Sequence, residues 1–255
     1  MTLAHDVWLV FQRQMLLVFR TPIWIVVGVV QPIIYLTLFA PMLKQALVSV
    51  GSPDTYAEAY LVYVPGLFVS ISCFGGIFSG FGLLAELRAG VIERVRVTPV
   101  SRQALLLGRA LREVVNMFIQ ALIITLLALP FGLRVPPGDL LLAYLLFILL
   151  ALMSVTVSYG IALVIRNEAA LGPVYNVIAQ PIMLIAGVLL PIAFAPLWLK
   201  RVADWNPFYW ATSAMRALFA NHLDQNVVWE GALVVVALTA LGLAWSTSLF
   251  ARSLR

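Results

Sequence analysis

Charged residues are scarce in this sequence, and the residues from which enzyme sites are built are scarcer still. Asp, Glu, Lys and Arg make up 11% of the 255 residues, whereas hydrophobic residues make up 63%. Because an ordinary soluble domain carries about 25% charged residues, the composition excludes that class. One cysteine, Cys73, and two distant histidines, His5 and His222, cannot assemble a disulfide framework, a metal cluster or a nucleophile–base pair. The sequence therefore predicts no catalytic residue and no metal site.

Two motif classes are also missing. Nothing in the chain matches the phosphate-binding loop G-x-x-x-x-G-K-[ST], so we expect no ATPase site and no enzymatic activity of its own. The net charge of +5 comes without a basic patch interleaved with exposed aromatic residues, which argues against a nucleic-acid partner. An excess of Lys and Arg is instead typical of the cytoplasmic loops of membrane proteins.

What the chain has in abundance is apolar runs of roughly 20 residues, the length that a helix needs to cross a bilayer. Inside lipid every backbone N–H and C=O must be paired within the segment, so such runs are helices. The sequence predicts an all-α polytopic membrane protein with the lipid bilayer as partner, in a single domain over residues 1–255. Six transmembrane helices are predicted over residues 23–43, 61–85, 104–131, 140–165, 173–192 and 229–250.

The first 22 residues have a different pattern. Asp6, Arg13 and Arg20 are seven apart and share one face of a helix, while Trp8 and Phe11 lie elsewhere on it. This amphipathic pattern is typical of a helix that lies in the membrane interface. We therefore expect an interfacial helix over residues 1–22.

The distribution of positive charge predicts the orientation. If the N-terminus is cytoplasmic, 11 of the 16 Lys and Arg residues fall in cytoplasmic segments and 5 in outer ones. Cytoplasmic segments normally carry this excess. We predict a multi-pass protein of the cytoplasmic (inner) membrane with both termini in the cytoplasm, which an even number of spans allows.

The two longest outer segments differ in composition. Residues 44–60 contain Gly51 and Pro53 and are expected to form a polar loop. Residues 193–228 are rich in aromatic residues, which prefer the membrane interface. These aromatic residues are Phe194, Trp198, Trp205, Phe208, Tyr209, Trp210 and Phe219. The sequence predicts short re-entrant helices there, packed on the outer ends of the spans.

A segment rich in charged residues separates the second and third predicted spans. Residues 88–112 hold six of the 16 Lys and Arg residues, and residues 86–103 are expected to form a short cytoplasmic segment. Gly90 permits a break after the second span, Pro99 ends any helix that follows, and Ser101 can cap the third span. From the residues alone, a loop whose charges only fix the topology and a docking surface for a partner remain equally open.

Two motifs in the sequence consist of residues at fixed spacings. The first is Glu86-x-Arg88-x-Gly90-x-x-Glu93-Arg94-x-x-x-Thr98-Pro99-Val100-Ser101-Arg102-x-x-Leu105-x-x-Gly108-Arg109. The second is Pro191-x-x-x-x-Pro196-x-Trp198-Leu199, followed by Asn206-Pro207-Phe208 and Arg216. Together they resemble ABC-2 type transporter permeases, and in particular the daunorubicin-resistance-type multidrug exporters of that class. With the amphipathic start and six spans, the resemblance covers essentially the whole chain.

The resemblance implies the transmembrane subunit of an ATP-driven exporter, in which a separate ABC ATPase binds ATP and Mg²⁺ and this chain binds no cofactor. Two permease subunits, expected as a homodimer, pair with two ATPase subunits, and the segment after the second span docks on the ATPase as a coupling helix. The implied coupling residues are Glu86, Arg88, Gly90, Glu93, Arg94, Arg96, Pro99 and Arg102. The implied outer re-entrant motif is Pro191, Asn206, Pro207 and Arg216.

Two Gln-Pro pairs lie inside predicted spans, Gln31-Pro32 in the first and Gln180-Pro181 in the fifth. Proline frees a backbone carbonyl and can kink a helix. The resemblance puts both spans near the pathway and the dimer interface, so these four residues are candidates for lining or gating the route. Structural kinks with packed amides are an equal alternative.

Other polar and small residues within the predicted spans are expected to contribute to packing between helices. Asn116 and Gln120 are expected to make interhelical hydrogen bonds, and Gly76-x-x-x-Gly80 to let two helices approach closely. Glu86 and Glu113 are expected to pair with nearby Arg residues.

The predicted substrate is hydrophobic or amphipathic, either drug-like or lipid-linked. Export of a polysaccharide or glycolipid by the same class is the alternative. An ion-gradient-driven secondary transporter would need a mid-membrane carboxylate and an internal repeat, and the sequence has neither.

Overall fold

The computed structural model describes residues 3–20, 23–49, 55–90, 101–188, 192, 195–223 and 225–253. The described chain is almost entirely helical and contains no strand, which confirms the predicted all-α class. In chain order the helices are α1 (Leu3–Arg20), α2 (Ile23–Ser49), α3 (Tyr56–Arg88), α4 (Arg102–Ala128), α5 (Pro137–Ile165), α6 (Glu168–Ile185), α7 (Leu197–Ala203), α8 (Pro207–Phe219) and α9 (Asn226–Ser253). A 3₁₀ turn, Leu129–Phe131, follows α4.

Four helical stretches of the described chain are long and apolar enough to cross a membrane. They are Tyr56–Arg88, Gln103–Phe131, Pro137–Ile165 and Asn226–Phe250, in α3, α4 with its 3₁₀ turn, α5 and α9. These stretches match the second, third, fourth and sixth predicted spans, and the protein is therefore a membrane protein with several spans. Helices α2 and α6 occupy the other two predicted positions, and the count of six stays a prediction.

Some helices begin or end at capping residues that lie outside or inside the limits of the predicted spans. The span predicted over residues 173–192 begins instead at Glu168, because the Asn167 side chain accepts a hydrogen bond from the Ala169 N–H at 3.1 Å. The same helix ends at Ile185, two residues before Gly187, whose φ of 69° is left-handed. Local capping chemistry thus overrides the limits of the apolar run.

The loop predicted over residues 44–60 is shorter than expected. Helix α2 continues to Ser49 and α3 begins at Tyr56, and residues 50–54 between them lie outside the described residues. The Lys44 ammonium lies 4.4 Å from the centre of the Tyr56 ring, a cation–π contact between the two helices. The polar residues after the first predicted span therefore belong largely to a helix end.

The centre of the fold is the contact between α3 and α5, and small residues set its distance. A Cβ added at Gly76 would meet the Cβ of Ser154 at 2.7 Å, and one added at Gly80 would clash with the Ser158 hydroxyl. The Ser72 and Ser154 hydroxyls share a hydrogen bond of 2.9 Å. The predicted role of Gly76-x-x-x-Gly80 in close helix packing is confirmed.

Aromatic rings fill the space next to this contact. The ring of Phe68 in α3 lies 5.4 Å from Tyr144, 5.1 Å from Phe147 and 5.8 Å from Phe219. Because Phe219 ends α8, the cluster fixes that short helix against two of the candidate spans. Helix α9 packs on α5, where the Thr239 hydroxyl donates a hydrogen bond to the Leu149 carbonyl at 3.1 Å.

Helix α1 packs along α4, and Gly108 allows the close approach. Asp6 is only 3% exposed, and its carboxylate accepts a hydrogen bond from the Ser101 N–H at 3.4 Å. Arg13 and Arg20 are exposed. The three charged residues of the predicted polar face therefore differ in their surroundings. Asp6 packs against protein, whereas Arg13 and Arg20 are exposed.

Gly76→Ala should destabilise the fold, because the added methyl group meets Ser154 at the α3–α5 contact. Overpacking of this kind costs about 1–3 kcal/mol. Gly82→Ala is the matched control, since it lies in the same helix and nothing lies within 4 Å of its added Cβ. Thermal unfolding in detergent should give a lower midpoint for Gly76→Ala and an equal or higher one for Gly82→Ala. Equal midpoints for the two variants would contradict the packing argument.

Candidate functional site

Three ion pairs lie around the C-terminal end of α3 and form what we term the ion-pair cluster. Its members are Glu86, Arg88, Arg109, Arg112, Glu113 and Glu168. Glu86 of α3 pairs with Arg109 of α4, and Arg112 pairs with its neighbour Glu113. Arg88 pairs with Glu168, the first residue of α6, at 3.1 Å. The cluster joins α3, α4 and α6, and the predicted pairing of Glu86 and Glu113 with arginines is confirmed.

The ion pairs differ in burial, and therefore in how much each contributes to the stability of the fold. The Arg109 side chain is 6% exposed, and two of its nitrogens, Nε and Nη1, have no hydrogen-bond partner among the described residues. Removing one member of a buried pair leaves an uncompensated charge, which costs about 3–5 kcal/mol. The Arg88 and Glu168 side chains are 52% and 45% exposed, and such a pair is worth about 0–1 kcal/mol. The Glu86–Arg109 pair is therefore the structural centre of the cluster.

The predicted coupling segment is anchored on both sides. Gly90 follows α3 with a φ of 65°, a left-handed conformation that glycine adopts without strain. Ser101 caps α4 as predicted, accepting a hydrogen bond from the Ala104 N–H at 3.2 Å, and donates its own N–H to Asp6 of α1. Outside the described residues lie Glu93, Arg94, Arg96 and Pro99, and the side chain of Arg102. Their role in coupling stays a prediction.

A cavity of about 660 Å³ lies beside the ion-pair cluster, with walls from α1, α2, α3 and α4 and with Glu168 of α6 in its lining. Ligand sites for drug-sized molecules measure about 300–1,000 Å³, so the volume suits such a ligand. The charged residues in its lining are Glu86, Arg112, Glu113 and Glu168. The apolar side chains in its wall include Leu67, Ile71, Phe74, Phe78, Phe81 and Met117. The cavity is therefore amphipathic, charged beside the cluster and apolar beyond it.

Asn116 and Gln120 stand in the wall of this cavity. The Asn116 Oδ1 atom is buried and has no hydrogen-bond partner among the described residues, so the interhelical bond expected there is not made by that atom. A Cβ added at Gly28 of α2 would meet the Gln120 Nε2 atom at 2.6 Å, so this amide packs on the α2 backbone. Both amides thus lie along the cavity at successive turns of α4.

The four predicted pathway residues lie in two helices. Gln31 and Pro32 fall within α2, and their side chains are outside the described residues. Gln180 and Pro181 fall within α6, where both are exposed. Neither Gln180 nor Pro181 is in the lining of the cavity. Their place in a transport pathway stays a prediction.

At the other end of α3, Arg216 of α8 joins three segments of the chain. Its Nε donates a hydrogen bond to the Val62 carbonyl at 3.0 Å, and its Nη2 donates to the carbonyls of Gly187 at 2.8 Å and Val188 at 3.3 Å. Val62 and Glu86 are 24 residues apart in one helix, which corresponds to about 36 Å. Arg216 therefore fixes the end of α6 to the start of α3, far from the ion-pair cluster.

Asn206 and Pro207 start α8. The Asn206 side chain accepts a hydrogen bond from the Phe208 N–H at 3.0 Å, while its Nδ2 donates to the Ile182 carbonyl at 2.7 Å. Pro207 is the first helical residue, where its missing N–H costs nothing. Pro191 lies outside the described residues. The part of the predicted outer motif that is described therefore holds α8 against α6.

Sequence reasoning missed the cavity, although one signal for it was present. Arg109, Glu113, Asn116 and Gln120 recur at three- and four-residue intervals and so share one face of α4. A polar stripe on an otherwise apolar helix indicates a polar environment along that face. The partners across the cavity come from α3, and nothing in the local pattern of α3 reveals them.

Two of the four candidate spans, α3 and α4, line the amphipathic cavity together with α1 and α2, and the chain has the architecture of a polytopic membrane protein. The chain belongs to the ABC-2 type transporter family, whose sequence model matches residues 5–220. Members of this family are transmembrane subunits that work with a separate ABC ATPase. The resemblance indicated by the two sequence motifs is confirmed.

Individual relatives are distant but cover most of the chain. The transport permease ycf38 of Cyanophora paradoxa is 25% identical over 219 residues, which are 85% of this chain and 75% of that protein. The daunorubicin resistance ABC transporter permease protein DrrB1 of Streptomyces coeruleorubidus is 24% identical over 219 residues, 85% of this chain and 74% of that protein. The multidrug ABC transporter permease YbhR of Escherichia coli (strain K12) is 23% identical over 185 residues, 69% of this chain and 48% of that protein.

Arg109→Leu should lower the stability of the protein by about 1–3 kcal/mol, between the costs of breaking an exposed and a fully buried ion pair, because it leaves the Glu86 carboxylate, 29% exposed, without its cation. The double variant Glu86→Leu/Arg109→Leu should recover much of that loss, since it removes both charges together. Thermal midpoints of the purified proteins in detergent measure both effects. Arg88→Leu, in the exposed pair, is the control and should change the midpoint little. An equal loss in the single and double variants would show that the two side chains do not act as a pair.

Arg216→Lys should loosen the junction between α8, the start of α3 and the end of α6, although it keeps the charge. A lysine ammonium cannot reproduce the planar fork that serves three carbonyl groups, and each hydrogen bond to a charged group is worth about 1.5–3 kcal/mol. We expect faster chymotrypsin cleavage between α6 and α8 in the variant. Arg201→Lys, at an exposed position of α7, is the matched control. Cleavage at the wild-type rate in Arg216→Lys would refute the role of the guanidinium.

Proposed function

We propose that this chain is the transmembrane permease subunit of an ATP-driven exporter that moves a hydrophobic or amphipathic substrate across the cytoplasmic membrane. The observation that carries the proposal is the ion-pair cluster. It ties α3 and α4, the two helices that flank residues 91–100, to each other and to the start of α6. A displacement applied to residues 91–100 would therefore act on three helices at once.

In this proposal α2 and α6 join the four candidate spans to make six transmembrane helices, with both termini in the cytoplasm. Helix α1 lies in the cytoplasmic interface, where its exposed Trp8 and Leu16 meet lipid. Helices α7 and α8 form the outer re-entrant segment, and the exposed Trp198 and Trp205 suit that interface. The excess of Lys and Arg in the cytoplasmic segments supports this orientation.

Energy comes from two copies of an ABC ATPase, which hold ATP and Mg²⁺ beneath a homodimer of this chain. Family membership supports the ATPase partner. Residues 86–103 form the coupling surface, and closure of the ATPase dimer on ATP displaces this segment as a rigid body. The Glu86–Arg109 pair and the Asp6–Ser101 hydrogen bond then pass the displacement to α1, α3 and α4.

The apolar wall of the cavity supports a hydrophobic or amphipathic substrate over a polysaccharide. Two relatives are named for daunorubicin resistance and for multidrug transport, which agrees with that class. In the dimer, Gln31, Pro32, Gln180 and Pro181 line or gate the route between the two permease subunits.

Affinity purification from native membranes in a mild detergent tests the proposal. A soluble ATPase carrying G-x-x-x-x-G-K-[ST] should co-purify stoichiometrically with the wild-type chain. It should be lost from Glu93→Ala/Arg94→Ala, because that variant removes charges from the coupling segment. Lys200→Ala/Asp204→Ala is the matched control, since it removes one charge of each sign from the α7 region and should leave the ATPase bound.

The outcomes separate two parts of the proposal. Absence of any ATPase from the wild-type preparation would contradict the ATP-driven exporter. An ATPase that stays bound to Glu93→Ala/Arg94→Ala would keep the exporter and remove the docking role of these two residues.

A further inference from the structure

Helix α1 turns apolar side chains away from the rest of the chain. Trp8, Leu9 and Leu16 are 52%, 42% and 61% exposed, whereas Asp6 and Gln14, two of its polar residues, are buried. A surface helix of a soluble protein has the opposite distribution, with its apolar residues facing the core. The exposed face of α1 is therefore suited to an apolar environment outside the chain.

Two arginines border this apolar face. Arg13 follows Leu9 by four residues, and Arg20 follows Leu16 by four, so each arginine lies next to a leucine on the helix surface. Both arginines are exposed, and neither forms an ion pair with another residue that the structure describes. Asp6 is the one acidic residue of α1 and is buried, so no carboxylate of this helix offsets their charge on the exposed side.

A bilayer that contains anionic phospholipid has the chemistry that complements this face. Its acyl chains accommodate tryptophan and leucine, and its phosphate groups accept hydrogen bonds from guanidinium groups. Each arginine near such a surface strengthens binding about fivefold. The proposed topology places α1 at the cytoplasmic leaflet, so the bilayer is the nearest surface of this kind.

The opposite face of α1 is fixed to the start of α4. The Asp6 carboxylate accepts a hydrogen bond from the Ser101 N–H at 3.4 Å, while the Ser101 side chain caps the helix. Further along, a Cβ added at Gly108 would meet the Val10 side chain at 2.7 Å, so the two helices are in close contact. Because Ser101 belongs to the proposed coupling surface, a movement of α1 changes the point at which that surface enters α4.

We propose that α1 is a binding site for anionic phospholipid and that Asp6 is a positioning residue that passes lipid binding on to the coupling surface. Arg13 and Arg20 hold the lipid phosphates, and the apolar face enters the acyl region. The bound helix then holds Asp6 against the start of α4. The regulatory part rests on the proposed export function, in which anionic lipid of the cytoplasmic leaflet sets how well the ATPase drives the permease.

Lipid retention by the purified full chain tests the binding site. The chain is mixed in detergent with equal amounts of phosphatidylglycerol and phosphatidylcholine, recovered by affinity purification, and its retained lipid is measured by mass spectrometry. Phosphatidylglycerol should be retained in preference, and the preference should fall about fivefold in Arg13→Gln and further in Arg13→Gln/Arg20→Gln. Arg134→Gln/Arg201→Gln is the matched control, because it removes two exposed arginines outside α1 and should keep the preference.

Equal retention of the two lipids by the wild-type chain would overturn the binding site. An undiminished preference in Arg13→Gln/Arg20→Gln would overturn it as well, and this variant removes only exposed side chains and leaves the core intact.

Hydrogen exchange of the peptide that spans residues 101–108 tests the role of Asp6. Adding phosphatidylglycerol to phosphatidylcholine nanodiscs should slow exchange at the start of α4 in the wild type and in Asp6→Asn, whose amide oxygen still accepts from the Ser101 N–H. It should have no effect in Asp6→Ala, which keeps the lipid preference but lacks the acceptor. A lipid effect that persists in Asp6→Ala would overturn the positioning role, since a merely structural residue changes exchange equally in both lipids.

The ATPase rate in the same nanodiscs separates this inference from the proposed function. Phosphatidylglycerol should raise the rate of the co-purified ATPase in the wild type and in Asp6→Asn, but not in Asp6→Ala or Arg13→Gln/Arg20→Gln. A rate that does not respond to the lipid would overturn the regulatory part. Lipid preference and slowed exchange without any ATPase would keep the lipid site and contradict the ATP-driven exporter. Protection of the exposed face of α1 by the ATPase instead of by lipid would assign this face to the ATPase and overturn the lipid site.

Discussion

Because small side chains line the face of α3 that meets α5, the two helix backbones approach until Gly76 and Gly80 touch Ser154 and Ser158. Lipid tails are as apolar as leucine, so the hydrophobic effect does not hold helices together inside a bilayer, and close packing with occasional hydrogen bonds must do so. The remaining helices are built around this contact. Helix α3 also packs against α2, α4, α6 and α8, and α9 packs on the other side of α5. A bulky residue at Gly76 would therefore disturb more than one pair of helices.

Helix α3 is held at both ends by charged groups, and the two attachments differ in kind. Near its C-terminus Glu86 is held by a buried ion pair with Arg109, which can be broken and remade only together with its surroundings. Near its N-terminus the Val62 carbonyl accepts a hydrogen bond from Arg216, which also holds the end of α6 through two further carbonyls. A continuous helix about 36 Å long joins the two attachments. The two attachments therefore lie at opposite ends of one continuous helix, which contains Pro65.

The positions of the long apolar helices could be predicted from the sequence, whereas the cavity could not. Apolar runs located the spans, because burial in lipid needs length and hydrophobicity and both are local properties. Helix α6 begins several residues before the span predicted from residue 173, since a single side-chain hydrogen bond at Asn167 sets its start. The cavity was missed because it joins Phe78 of α3 to Asn116 of α4, and their proximity depends on how two helices pack. Arg216 was singled out only by family resemblance, since its carbonyl partners lie far from it in the sequence.

Under the proposed function, the cavity and the coupling surface share one side chain. Glu86 lines the cavity and also pairs with Arg109 at the end of α3 that leads into residues 91–100. A substrate that contacts Glu86 from the cavity side alters the surroundings of this carboxylate, so its binding changes the strength of the ion pair with Arg109. Conversely, a displacement of α3 by the ATPase changes the position of Glu86 in the cavity wall. Binding linkage is reciprocal, so any effect of the substrate on ATPase docking must equal the effect of docking on substrate affinity. In the proposed exporter, the partly exposed Glu86 carboxylate thus provides a physical means by which substrate binding affects the coupling surface before ATP is hydrolysed.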